Sequence, residues 1–302
     1  MFSTAFSVSD KLLKDIGTHV FARSGKQLRP VLVLLAARLC NRPTTATYRV
    51  ATALELLHTA SLLHDDVVDN TTERRNQPST NAIFGNQTAV LAGDYLLSLS
   101  MEQIAATQNS DLLNALVTIC KQISGGELLQ LQHAYSVPTE AEYYEIIRRK
   151  TAALFACCAE GGAISVEATP HQRHLLHDFG ENLGICFQIK DDIFDYSNNS
   201  DIGKPLMNDI REGKITLPLL HTLQQLCASE RDALIAEVRY HPSESINARI
   251  RTLIVEHHGI DYATQAMERF AGMASVALND FPKSTMQQAL FTLLNYVKTR
   301  TL

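Results

Sequence analysis

The chain has 302 residues, 45% of them hydrophobic and 20% charged, with a formal net charge of −5 at pH 7. Such a chain can bury a large core, and no Gly/Ser/Pro-rich linker or composition break divides it, so one domain over residues 1–302 is expected. The slight acidity and the lack of a basic stripe count against nucleic acid, no apolar run reaches the ~18 residues of a transmembrane segment, and six cysteines without CxxC spacing suit a reduced, cytoplasmic chain.

Apolar residues recur at spacings of three and four over residues 29–40, 48–70, 81–107, 111–133, 140–168 and 171–197. Shorter runs follow at 220–238, 244–256, 260–279 and 284–299. No sustained period-two alternation interrupts them, so the predicted fold class is all-α. Start signals agree. Thr139 with Glu142 and Ser284 with Gln287 have capping-box spacing, and Thr169-Pro170 puts proline at a first helical position. Few polar groups cluster after residue 220, so that third reads as packing.

Chemistry concentrates in two matched runs, Asp65-Asp66-Val67-Val68-Asp69 and Asp191-Asp192-Ile193-Phe194-Asp195. On a helix, Asp65 and Asp69 lie one turn apart with Asp66 beside them, and the second run repeats the pattern. Three carboxylates so close repel one another unless a cation gathers them, and oxygen ligands suit a hard divalent ion such as Mg²⁺. A solvated acidic face is the plain alternative for one run. Two copies, each after a long apolar segment (50–63 and 183–189), argue for acids projecting from buried helices.

Cations surround these acids in the chain. Lys26 and Arg29 enter a helix, Arg74 and Arg75 follow the first acidic run, Lys150-Thr151 sits mid-chain, and Lys204 and Lys214 share a Gly-bearing loop that reads as a lid over phosphate. Solvated or locally paired side chains would also explain them. His58 lies two helical turns before Asp65, where it can meet a substrate or rest as a core histidine. Gln188 and Glu127 are weaker singles.

The ordered set GKQLRP, HTASLLHDDVVD, ERR, GDYLLS, RKTAALF, FQIKDDIFD and GKITLPLL resembles the trans-isoprenyl diphosphate synthases, the polyprenyl synthase family, over residues of about 20 to 220. The resemblance implies a helical bundle of the isoprenoid synthase type around a deep central cavity, with the two aspartate motifs facing each other across its mouth. It also implies a homodimer, Mg²⁺, and two substrates, isopentenyl diphosphate and an allylic prenyl diphosphate. Carried over by motif, Asp65, Asp66, Asp69, Asp191, Asp192 and Asp195 hold the metal, and Lys150 joins the aspartates in catalysis. Lys26, Arg29, His58 and Arg75 match the isopentenyl diphosphate site. Arg74, Lys150, Thr151, Gln188, Lys204 and Lys214 match positions that contact the allylic substrate. Gln27 departs from a position where a basic residue is common, and Met207 from one where glycine is common.

Small residues at Ala60 and Ser61, where bulky aromatics in the family stop elongation early, imply a medium- to long-chain product of the octaprenyl kind. A short-chain farnesyl or geranylgeranyl product is the alternative. A terpene cyclase would not need the Lys26, Arg29 and His58 set, and a non-catalytic subunit would typically lose an aspartate motif. Removing one carboxylate from either crowded run is expected to leave metal-free stability unchanged or higher.

Overall fold

A computed structural model describes residues 10–22, 25–74, 77–196, 207–241 and 243–300. Arg75 and Lys204 lie outside the described residues. The described residues are all-α apart from one pair of two-residue antiparallel strands. It groups into two compact units, one made of the chain up to Thr118 with Cys157–Leu176, the other of Ile119–Ala156 with the chain from His177 onward.

The first unit contains α1 (Lys11–Ala22), α2 (Leu28–Cys40), α3 (Thr45–Val68), β1 (Glu73–Arg74), β2 (Gln77–Pro78), α4 (Thr80–Phe84) and α5 (Asn86–Ala105). Thr44 starts α3 through a reciprocal cap, its side chain accepting from the Thr47 amide while the Thr47 hydroxyl accepts from the Thr44 amide at 3.0 Å. The helix packs along α5 and against α2. Leu56, Ala60 and Leu63 of α3, Ala92 and Leu96 of α5 and Ile16 of α1 form one buried cluster. The expected helix over 81–107 is broken at Gly85, whose φ of 85° is open to glycine and strained for other residues.

Three helices contribute residues to both units: α6 (Ser110–Gln132), α8 (Ala153–Ile164) and α9 (Pro170–Asp195). All of α8 is buried apart from a half-buried Glu160, as expected of a helix that is apolar on every side. The predicted helix over 140–168 is instead three pieces, α7 (Glu140–Ile147), a π-helical turn (Arg148–Ala152) and α8. Two glycines let neighbouring backbones approach that turn. A Cβ on Gly126 would lie 2.8 Å from the Lys150 amide nitrogen, and one on Gly184 would lie 2.5 Å from the Ala152 Cα. The capping box of α7 forms as expected, with the Glu142 carboxylate accepting from the Thr139 amide at 2.7 Å.

The remaining helices are α10 (Asn208–Arg211), α11 (Leu217–Gln225), α12 (Ala228–Tyr240), α13 (Glu244–Glu256), α14 (Gly259–Asn279) and α15 (Thr285–Thr299). The run at 220–238 divides into α11 and α12 because Leu226 and Cys227 turn extended. Glu230 accepts from the Cys227 amide at 3.3 Å and so opens a new helix. The cap of α15 is half a box: Ser284 accepts from the Gln287 amide at 3.1 Å, but the Gln287 amide group donates to Leu278 and Phe281 carbonyls. Helix α1, the strand pair and α10 had no sequence signal. Among the described residues no helix is long and apolar enough to cross a membrane.

Candidate active site

In the first unit, the end of α3, the strand pair and the segment leading into α2 line one pocket. His58, Leu62 and Asp66 reach it from α3, Arg74 from β1, and Gln27 from a left-handed turn with φ 50°. Asp66 is 2% exposed, and Arg74 Nε donates to its Oδ1 at 2.6 Å. Burial raises the Asp66 carboxyl above its ordinary range, and the guanidinium pulls it back down. Asp65 and Asp69 are only half-buried, so the first acidic run is divided: one carboxylate is enclosed beside Arg74 and two are open to solvent.

On the turn into α2, Lys26 is exposed and Arg29 half-buried, while Gln27 between them lines the pocket. Ala60 packs into the cluster with Ile16, Ala92 and Leu96, and the Ser61 hydroxyl donates to the His58 carbonyl at 2.9 Å. His19 of α1 also lines this pocket, its Nε2 lying 3.1 Å from the Pro78 carbonyl oxygen. Nothing in the local sequence marked His19.

A second pocket belongs to the other unit. The π-helical turn presents Lys150 and Thr151 to it, α9 presents Gln188 and Asp192, and the loop after α10 presents Lys214. A wider turn rotates its residues away from the faces of the flanking helices, and such turns recur at functional sites. Lys150 forms an ion pair with Glu127 and reaches Gln130 Oε1 at 3.4 Å. Thr151 Oγ1 donates to Gln188 Oε1 at 2.8 Å, Gln188 Nε2 to Asp192 Oδ1 at 2.8 Å, and the Tyr143 hydroxyl to Asp192 Oδ2 at 2.6 Å. Lys214 pairs with Glu212.

The other acids of the second run have partners too. Asp195 accepts from the amides of Asn208 at 3.0 Å and Asp209 at 3.2 Å, which makes it the cap of α10. Arg300, whose side chain is 8% exposed, donates to Asp191 Oδ1 at 2.7 Å and to the Phe187 carbonyl at 3.0 Å, with its guanidinium 4.0 Å from the centre of the Phe187 ring. Sequence reasoning missed Tyr143, Asp209 and Arg300. Tyr143 lies seven residues before Lys150, the spacing that picked out His58 before Asp65, so a signal for it existed. Arg300 is 109 residues from Asp191, and no local pattern could join them.

The donor set fits a hard divalent cation. Asp192 is 1% exposed, and its carboxyl is pushed up to about 7 by burial, despite the donors Tyr143 and Gln188, with Asp191 and Asp195 adding to the rise. Asp209 moves the same way, through burial and then Asp195 and Asp192. Acids this costly to ionise call for positive charge, and oxygens alone favour Mg²⁺ or Ca²⁺ over softer ions. Among the described residues no three of these side chains form a ready-made metal cage. A cation would therefore have to displace hydrogen-bond partners such as Arg300.

Residues 10–253 match the sequence model described as polyprenyl synthetase. The chain belongs to the polyprenyl synthetase family. It is 34% identical to the octaprenyl diphosphate synthase of Haemophilus influenzae over 93% of its own length and 86% of that protein. Among solved structures it superposes on a polyprenyl synthase from Caulobacter crescentus, described as complexed with calcium and isoprenyl diphosphate, with TM-score 0.93 and 33% identity, over 99% of this chain and 92% of that one. A geranylgeranyl pyrophosphate synthase from Bacteroides thetaiotaomicron gives TM-score 0.86 and 40% identity over 99% and 94%. The fold is the all-α isoprenoid synthase fold, and the chain is a trans-prenyltransferase of the polyprenyl diphosphate synthase kind.

Proposed function

We propose that this prenyltransferase is Mg²⁺-dependent, spans residues 1–302 as one synthase domain, and condenses isopentenyl diphosphate head to tail with an allylic prenyl diphosphate to give a medium- to long-chain all-trans product. The observation that carries the reading is the enclosed Asp192, with Lys150, Thr151, Gln188 and Lys214 lining the same pocket: cations and carboxylates collected where a diphosphate and its metal would sit.

Asp65, Asp66, Asp69, Asp191, Asp192 and Asp195 would hold the metal on the allylic diphosphate. Bound there, Mg²⁺ supplies Lewis acidity to the departing group. Lys150 and Lys214 stabilise the same developing charge as fixed donors, and Gln188, oriented by Thr151, holds Asp192 in place. His58, with Lys26 and Arg29, positions isopentenyl diphosphate. The allylic carbon–oxygen bond breaks, the double bond of isopentenyl diphosphate forms the new carbon–carbon bond, and the proton lost passes to the departed diphosphate. No protein nucleophile is needed.

The small side chains of Ala60 and Ser61 support the longer product. A short-chain farnesyl or geranylgeranyl product is the second reading, favoured by the packing of Ala60 inside a buried cluster. Chromatography of the product made by purified enzyme with Mg²⁺ decides between them. Octaprenyl-range chains support the first reading, a product that stops at farnesyl or geranylgeranyl diphosphate supports the second, and no condensation at all overturns both.

Exposed apolar side chains support a homodimer: Leu91 and Met101 on α5, and Leu113, Val117, Leu128 and Leu131 on α6.

A further inference from the structure

A third cavity, of about 400 Å³, lies in the second unit and shares no residue with the Lys150 pocket. That volume is in the range of small-molecule sites. Its walls come from Tyr135, α10, α12 and the start of α13. Ile210 and Val238, 3% and 8% exposed, form an apolar floor. Asn247 lines the cavity and is 7% exposed. Its side-chain amide can both donate to and accept from a polar group placed there.

Two guanidinium groups border the same space. Arg211 has no acidic partner among the described residues, and Arg239 lies over the rings of Tyr135 and Tyr240 at 5.7 and 5.3 Å. The one carboxylate of the rim, Glu244, is taken by Arg251 at 2.8 Å. Two cations without an acidic partner among the described residues, a side-chain amide and an apolar floor describe a receptor for an anionic head on an apolar body.

Tyr135 ties this cavity to the loop that bears Lys214. Its amide donates to the Gly213 carbonyl at 2.9 Å and its hydroxyl to the Arg211 carbonyl at 3.1 Å. Its ring fills the space beside Gly213, where φ is 74° and a Cβ would lie 2.8 Å from the ring carbons. A molecule resting on Tyr135 therefore bears on Gly213, and through it on Lys214.

We propose that this cavity is a second binding site, for a small amphipathic anion carrying a phosphate or carboxylate, and that its occupancy alters turnover through Tyr135 and the Gly213–Lys214 segment. The site itself stands apart from the functional reading; only the effect through Lys214 rests on that reading. The probe is octyl phosphate, titrated calorimetrically into the full chain with Mg²⁺ and inorganic diphosphate present in excess to fill diphosphate sites. One equivalent should bind. Affinity should fall at least tenfold in Arg239→Ala and in Asn247→Leu, with basal turnover and melting temperature of the exposed Arg239→Ala variant unchanged, and uncharged octanol should not bind. Absence of binding, equal affinity in both variants, or equal binding of octanol overturns the site. At saturation octyl phosphate should change turnover of the wild type and not of Arg239→Ala. Unchanged wild-type turnover overturns the link to Lys214, whereas an enzyme without prenyl-transfer activity fails the functional reading and leaves the calorimetric result standing.

Discussion

Met207 shows how one residue can depart from a family habit for a legible reason. It occupies a left-handed conformation, φ 63°, which explains why glycine is common at that position. The backbone cost of roughly 1–2 kcal/mol is offset by burial, for the side chain is 1% exposed and packs with Tyr196, Ile210 and Leu219. Met207→Ala should lose about 2–5 kcal/mol, since it removes the packing and keeps the strain. Met207→Gly should lose about 1–2 kcal/mol less, because the strain goes as well. Denaturant unfolding of the two variants tests that order, and a glycine variant less stable than the alanine one contradicts it. Asp191 corrects an expectation drawn from charge crowding alone. Its ion pair with a nearly buried Arg300 means that Asp191→Ala should cost about 1 kcal/mol of metal-free stability, where repulsion alone forecasts none. A melting temperature equal to or above wild type without metal would show the pair to be idle. The aspartates themselves were legible because each run is local. Arg300 was not, because a hydrogen bond at a separation of 109 residues leaves no trace in spacing, whereas Tyr143 had a usable signal in its place seven residues before Lys150.

At the level of elements, the end of α9 carries a pH dependence with a defined sign. The folded-state Asp192 carboxyl lies above its unfolded value of 3.8, at about 7, so the folded chain holds an extra proton between those values. Its contribution to stability is complete below the lower value and declines as pH rises through the upper one. In chelator, the melting temperature should therefore fall between pH 5 and pH 8 through this group; Mg²⁺ should reverse the fall and release a proton seen as a buffer-dependent heat. A metal-free melting temperature that climbs over that interval, with no proton released on binding, would exclude this behaviour. Long amphipathic helices were readable from periodicity, and α13 matches its predicted span of 244–256. The breaks were not. A single left-handed glycine at 85, two extended residues at 226 and 227, and a π-helical turn each shift the helical phase too little for spacing to reveal. Two-residue strands are too short to show alternation.

For the whole molecule, the all-α class followed from periodicity, whereas the two-unit grouping left no mark in composition because α6, α8 and α9 run through both units. The apolar residues on α5 and α6 predict association. Leu91→Glu with Leu128→Glu, both 68% exposed in the single chain, should convert a dimer to a monomer in sedimentation velocity while far-UV circular dichroism stays the same. A wild-type monomer would refute the assembly. The π-helical turn has a different kind of consequence. A turn closed by i to i+5 hydrogen bonds uses one residue more than an α-turn, so the stretch from Arg148 to Ala152 carries one amino acid beyond what continuous winding needs. Deleting Arg149 should let α7 and α8 join in their existing phase and yield a folded 301-residue protein, with the Lys150 side chain carried away from Glu127 and prenyl transfer lost. A folded deletion variant that keeps its helix content but has lost prenyl transfer would mean that the chain carries one residue more than its winding needs, while a variant that retains full turnover contradicts this reading.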